Sequence, residues 1–167
     1  MATVKQLLTP RDANFPASNY AQFKSVAGTN FPVESLAFDA STEEAAYFPF
    51  PALSYGSGNL TARIQWYADT ASSGGVVFGC SLAAITPNTD SQDIETKAFA
   101  TETTGSDTHL GTTGRRLHEM TVTISNLDSL AAGDWCALKL ARKVADGSDD
   151  MTGDALVTSV TIEYSDA

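Results

Sequence analysis

Basic residues are scarce in this sequence. Ten Lys and Arg stand against twenty Asp and Glu, a formal net charge of −10. Such a surface repels phosphate backbones and anionic lipid headgroups, so neither nucleic acid nor a membrane is expected as a partner. Charged residues of both signs reach only 18%, which argues against long solvent-facing helices, usually rich in Glu, Lys and Arg. The two cysteines, Cys80 and Cys136, have no CxxC spacing and no histidine nearby, so no zinc motif is encoded. Both fall in phase with large apolar residues of predicted strands, the setting of a small buried thiol rather than a disulfide. No run of 18 apolar residues exists, and residues 1–15 lack the continuous apolar core of a secretory signal. The expectation is a protein made and kept in the cytoplasm, or released by lysis. His109 and His118 are the only histidines. HExxH and GxSxG are absent, and YGSGN (55–59) lacks the spacing of a serine elbow. No catalytic residue, cofactor or metal is expected.

What is present is alternation. In GNLTARIQWYA (58–68), Leu60, Ala62, Ile64, Trp66 and Ala68 share one parity and Thr61, Arg63, Gln65 and Tyr67 the other. A strand sends successive side chains to opposite faces, so this segment has an apolar and a wettable face. It is predicted as a central strand of an all-β domain. At 167 residues the chain suits one domain able to bury roughly 70% of its unfolded surface.

Seven further strands are predicted: 33–40, 43–50, 75–86, 97–104, 117–127, 134–144 and 154–165. Asp128–Asp134 reads as a single helical turn, with Asp128 as N-cap and Gly133 at its end. No segment is long enough to cross over between parallel strands, so the sheets should be antiparallel. Eight such strands predict a jelly-roll sandwich over residues 33–167. Residues 1–32 differ. Pro10, Pro16 and Pro32 block regular pairing, VKQLL reads as a brief helical turn, and Phe15, Tyr20, Phe23 and Phe31 are spaced apolar anchors. This segment is slightly basic, with Lys5, Arg11 and Lys24 against Asp12. An extended arm is expected, lying across its own domain or a neighbour's.

Candidate chemistry is thin. Glycoside hydrolysis needs two carboxylates across a cleft; Glu43 and Glu44 point to opposite strand faces, and Asp149–Asp150 lies in a loop. DGSDDMTGD (146–154) offers oxygen ligands for calcium, but without EF-hand spacing, and a plain acidic hairpin loop is the preferred interpretation. GTTGRR (111–116) precedes a strand rather than the helix a phosphate cradle needs, so Arg115 and Arg116 are expected to balance acidic groups, here or on a neighbouring subunit. The sequon at Asn59 has no secretory signal behind it. Trp135 shares parity with Ala137 and Lys139, opposite Cys136, Leu138 and Leu140, and so lies outward or beneath a loop. Exposed Trp marks interfaces and sugar platforms alike, and Tyr47 and Tyr67 sit on the outward parity of their own strands.

FPASNY (15–20), SLAFDASTEEAAYFPF (35–50), GNLTARIQWYADTASSGGVVFGCSLA (58–83), AGDWCALKLAR (132–142) and GDALVTSVTIEYS (153–165) resemble a family of tailed-bacteriophage structural proteins. The resemblance implies a non-enzymatic jelly-roll virion component on the capsid exterior. Its expected role is head decoration, a cement protein binding the major capsid protein, commonly as a homotrimer. On that view Lys5, Arg11, Phe15, Tyr20, Phe23, Phe31 and Trp135 would meet the partner. The alternative is a fibre or spike that binds a host receptor or glycan through exposed aromatics such as Trp135, Tyr67 or Tyr55.

Overall fold

The alternating stretch around Trp66 forms the longest strand of the molecule. A computed structural model describes residues 2–111 and 113–167; Met1 of the arm and Thr112 of GTTGRR lie outside them. The strands are β1 (Thr3–Leu8), β2 (Gln22–Val26), β3 (Val33–Phe38), β4 (Ala45–Pro51), β5 (Tyr55–Ala68), β6 (Gly75–Ile85), β7 (Thr103–Thr108), β8 (His118–Ile124), β9 (Trp135–Arg142) and β10 (Ala155–Asp166). One sheet runs β2-β3-β10-β5-β8, with β1 also paired to β10; the other runs β4-β9-β6-β7. Every strand pairing is antiparallel. The chain is an all-β jelly-roll-like sandwich, with ten strands where eight were expected.

The core forms where the parity rule places it. Leu60, Ala62, Ile64, Trp66 and Ala68 of β5 are buried, while Thr61, Arg63, Gln65 and Tyr67 are only partly covered. The facing sheet supplies Phe48, Phe50, Phe78, Cys80, Leu82, Leu138 and Leu140. Phe38 of β3 meets Phe78 of β6 edge-on at 5.1 Å between ring centroids, a contact from one sheet to the other. Full burial of such a side chain contributes about 1.5–3 kcal/mol. β6 is buried on both faces. Its outer face is covered by residues 97–102: Ala100 N donates to Leu82 O at 2.9 Å, and the Glu102 carboxylate occupies the space that a side chain at Gly79 would need.

The two extra strands come from the segment read as an arm. Residues 3–8 are a strand, not a helical turn, because β10 presents a free edge to them. β10 pairs with β5 along one side, and shares its other side between β3 at Ala155–Val157 and β1 at Val160–Ser165. Gln22–Val26 pairs with β3 as a hairpin. Between them the chain makes one 3-10 turn at Pro10–Asp12 and touches β4 through isolated bridges at Asn14–Tyr47 and Tyr20–Ala45. Residues 2–32 therefore lie along their own domain.

Two other expectations need correction. The predicted strand 97–104 is irregular as far as Glu102, and the strand is β7, Thr103–Thr108, which takes up its last two residues and runs on past its expected end. The 128–134 segment is not a helical turn: Asp128 and Ser129 have φ of 55° and 61°, in the left-handed region. Asp128 Oδ2 instead accepts from Ala84 N and from Lys97 Nζ, each at 2.9 Å, which holds this loop against the edge of β6.

Candidate functional site

On the outer face of the four-stranded sheet, β4 and β9 run side by side with Tyr47 opposite Lys139, Pro49 opposite Ala137 and Pro51 opposite Trp135. The odd-numbered residues of both strands face outward, which places Tyr47, Pro49, Ala137 and Trp135 on one surface. Two flanking segments turn this surface into a groove. Residues 14–16 arrive from the β4 side, where Asn14 N donates to Tyr47 O at 2.7 Å. Residues 94–99 arrive from the other and bring Ile94, Glu95, Lys97 and Phe99. The groove holds about 470 Å³ and is lined by Phe15, Tyr47, Phe99 and Trp135, with Asn14, Glu95 and Lys97 as polar groups. Tyr47 and Phe99 meet at 5.5 Å with rings inclined at 60°. Trp135 is half-buried and also borders a smaller hollow of about 320 Å³ with Pro51, Pro87 and Gly133.

The electrostatics of the groove are set by Lys97. Its ammonium lies 2.9 Å from Asp128 Oδ2 and its side chain is 11% exposed, so this cation is neutralised where it stands. Glu95 is the one carboxylate lining the groove. Hydrolysis of a glycosidic bond by the usual route needs two carboxyl groups flanking it, and the lining does not supply the pair.

The residues expected to meet a partner do not form one site. Phe15 and Trp135 converge in this groove. Tyr20, half-exposed, stands 6.0 Å from the Phe15 ring at its rim. Lys5 pairs with Glu163 at 2.8 Å across β1 and β10. Arg11 pairs with Glu34, and its guanidinium lies over the Phe23 ring at 5.8 Å. Those three residues are engaged within the domain. Phe31 lies at a separate groove on the other sheet.

Phe99 escaped sequence reasoning because 97–104 carries strand-like alternation, and Ile94 and Glu95 because 88–95 reads as a polar connection. The available signal was the shared outward parity of Tyr47 and Trp135.

The remaining candidates are structural. Asp149, in the acidic loop, is buried against Arg142, and Asp150 Oδ1 accepts from Gly75 N at 2.6 Å. Among the described residues no group of three or more His, Cys, Asp or Glu is placed to hold a metal ion. Cys80 and Cys136 are buried free thiols. Burial pushes both up, Cys136 to about 12. His109 lies in a loop and His118 begins β8. Both are buried beside Trp66, with the His118 ring stacked on the indole at 4.6 Å and 19°. Trp66 Nε1 donates to Asp107 Oδ2 at 3.0 Å, which ties β5 of one sheet to β7 of the other.

No protein-family model matches the chain, and no curated protein is similar to it in sequence. Solved structures share its fold. The CBM22-1 xylan-binding domain of Xyn10C from Paenibacillus barcinonensis superposes with a TM-score of 0.52 at 9% identity, over 95% of this chain and 89% of that one. The CBM36-1 domain of a multidomain xylanase from the hindgut metagenome of Trinervitermes trinervoides gives 0.51 at 9%, over 95% and 96%. A carbohydrate-binding module of Cellvibrio mixtus lichenase 5A, solved with cellotriose, gives 0.50 at 11%, over 96% and 97%. At such identity the likeness establishes the fold alone. It corrects the resemblance to phage structural proteins: the like folds are carbohydrate-binding modules, and the quoted strand and turn patterns are ones a two-sheet sandwich needs whatever its role. The capsid-decoration role falls with it, and the arm that was to grip a capsid is occupied by its own domain.

Proposed function

We propose that this protein is a glycan-binding module whose site is the groove between β4, β9 and residues 94–99. The observation that carries the proposal is the convergence of Phe15, Tyr47, Phe99 and Trp135 on one open outward face. Pyranose rings carry apolar C–H faces that pack on aromatic rings, and polar groups beside the rings fix the hydroxyls. Asn14 and Glu95 stand where such hydroxyls would lie, and Lys97 is held for the same use by Asp128. The fold likeness to xylan- and cellotriose-binding modules supports the reading without choosing the sugar. In this reading the module acts by adhesion.

Affinity electrophoresis against a panel of soluble polysaccharides, followed by calorimetry with oligosaccharides of the retarding one, tests this. Saturable binding is expected, and Trp135→Ala should weaken it at least tenfold, about 1.4 kcal/mol, with an unchanged melting temperature. Absence of retardation by every polysaccharide, or full affinity in Trp135→Ala, would overturn it.

A further inference from the structure

A second groove lies on the opposite face of the molecule, outside the six-stranded sheet. It holds about 460 Å³ between the β2–β3 hairpin and the wall formed by Arg115 and Leu117. Val26, Phe31, Val33, Tyr67 and Leu117 form its apolar walls, and Arg115 is its one charged lining residue. Phe31 is 69% exposed and Leu117 56%, so these walls face solvent without cover from the chain.

The charge pattern singles out the same place. Acidic residues outnumber basic ones two to one, so a cation without a carboxylate is unusual here. Seven of the ten basic side chains have an acidic partner. Lys139, Arg115 and Arg116 have none among the described residues, and of these three Arg115 lines this groove. Arg115 Nε donates to Asp69 O at 3.2 Å, which anchors the side chain. Its two terminal nitrogens have no acceptor among the described residues.

The wall that presents Arg115 is itself built. His109 Nε2 donates to Gly114 O at 2.8 Å, and Gly111 N donates to His109 Nδ1 at 3.0 Å. Leu110 N donates to His118 Nε2 at 3.0 Å. Two buried rings thus fix the backbone at Leu110, Gly111 and Gly114. On the other wall the hairpin closes through Gly28, whose φ of +63° and close approach to Phe31 O admit no side chain.

We propose that this groove binds a small amphipathic carboxylate, with an aromatic or branched aliphatic body between Phe31, Tyr67 and Leu117 and its carboxylate on Arg115. The volume lies in the range of small-molecule sites, about 300–1,000 Å³. The planar guanidinium presents two parallel N–H groups that match a carboxylate, and the site supplies the one charge such a ligand lacks. This assignment is independent of the glycan groove, which lies on the other sheet.

The test uses the full chain, ¹⁵N-labelled, titrated with 4-phenylbutanoate and with its neutral amide. Saturable shifts are expected at Phe31, Tyr67 and Leu117 with the acid, and at least tenfold weaker binding of the amide. Arg115→Gln should lower the acid to the affinity of the amide, Phe31→Ser should weaken both ligands, and Trp135→Ala should change neither. Unchanged spectra outside the groove establish that the exposed-residue variants remain folded. Absence of saturable shifts, equal binding of acid and amide, or an unaffected Arg115→Gln would overturn the assignment. So would saturation by an acidic peptide when phenylbutanoate fails, which would mark a protein-docking surface instead.

Discussion

Arg142 and Asp149 form an ion pair sealed from solvent, 2.8 Å apart with side chains 0% and 1% exposed. Arg142 ends β9, and Asp149 belongs to the acidic loop that leads into β10. The guanidinium also donates to the carbonyls of Phe38, Gly153 and Met151 at 2.8–3.2 Å, and Asp149 Oδ2 accepts from Val77 N at 2.9 Å. The pair therefore gathers the end of β3, the start of β6, the end of β9 and the chain leading into β10. Burying two ions costs several kcal/mol, and only this saturation of donors and acceptors offsets it. Removing one partner strands the other. Asp149→Ala should cost about 3–5 kcal/mol in urea unfolding, with faster amide exchange over residues 149–153. A loss under about 1 kcal/mol would show that water reaches the guanidinium in solution.

His118 gives the stability a pH dependence of defined sign. Burial, reinforced by neighbouring His109, holds its imidazole below the usual range. The neutral ring is also needed because Nε2 accepts from Leu110 N. A base whose folded value is depressed binds fewer protons folded than unfolded, so stability rises with pH across the interval. The contribution is complete above the ordinary imidazole value of about 6.5 and declines as pH falls through it to the depressed value. Urea midpoints measured between pH 7.5 and 5.0 should fall in the native protein and change less in His118→Gln. Asp39, Glu34 and Glu163, all held below the usual carboxylate range by hydrogen bonds to Ser41, Arg11 and Lys5 respectively, lose their contribution only at lower pH. The two windows are thus separable.

The sandwich was legible because core burial is periodic. β8 and β5 from Leu60 onward alternate as written, and Trp66, Met120 and Leu138 fall on the buried parity. β1 was not legible. Val4, Leu7 and Leu8 fit one side of a helical turn as well as a strand, and the edge they pair with is over 150 residues away. β7 hid for another reason. TTGSDT shows no apolar alternation, because at Gly105 the strand approaches Val122 so closely that a Cβ would lie 2.8 Å from its side chain. Half of the proposed glycan groove, Tyr47 and Trp135, could be read from outward parity. The other half, on 94–99, sits on irregular chain whose position is set by the Lys97–Asp128 pair rather than by any local pattern.

Gly74 and Gly133 separate backbone strain from steric conflict. Both have φ in the left-handed region, +97° and +87°. Around Gly133 nothing lies within 4 Å of an added Cβ, whereas at Gly74 it would meet Met151 Cα at 2.7 Å. An alanine in this region costs about 1–2 kcal/mol from conformation alone. Gly133→Ala should lose about that much. Gly74→Ala should lose at least 1 kcal/mol more, since overpacking of this kind costs about 1–3 kcal/mol. Equal losses in thermal unfolding would mean that the 150–151 backbone yields freely and that the acidic loop is not seated as described.

Asp128 offers a test of how the proposed glycan groove is held together without touching its lining. Its carboxylate serves two donors, Ala84 N and Lys97 Nζ. Asparagine keeps an acceptor for Ala84 N but cannot neutralise the ammonium. The pair is partly exposed, with side chains 11% and 23% accessible, so losing it should cost no more than about 1 kcal/mol of stability. The effect on binding should be larger. Without its anchor, Lys97 releases the 94–99 segment, Phe99 leaves its contact with Tyr47, and the groove must be ordered again when sugar arrives. Asp128→Asn should therefore weaken oligosaccharide binding at least threefold while the melting temperature barely moves. Asp128→Ala, which also strands Ala84 N, should lower both. If Asp128→Asn bound sugar as well as the native protein while Trp135→Ala did not, the site would rest on β4 and β9 alone, and residues 94–99 would be no part of it.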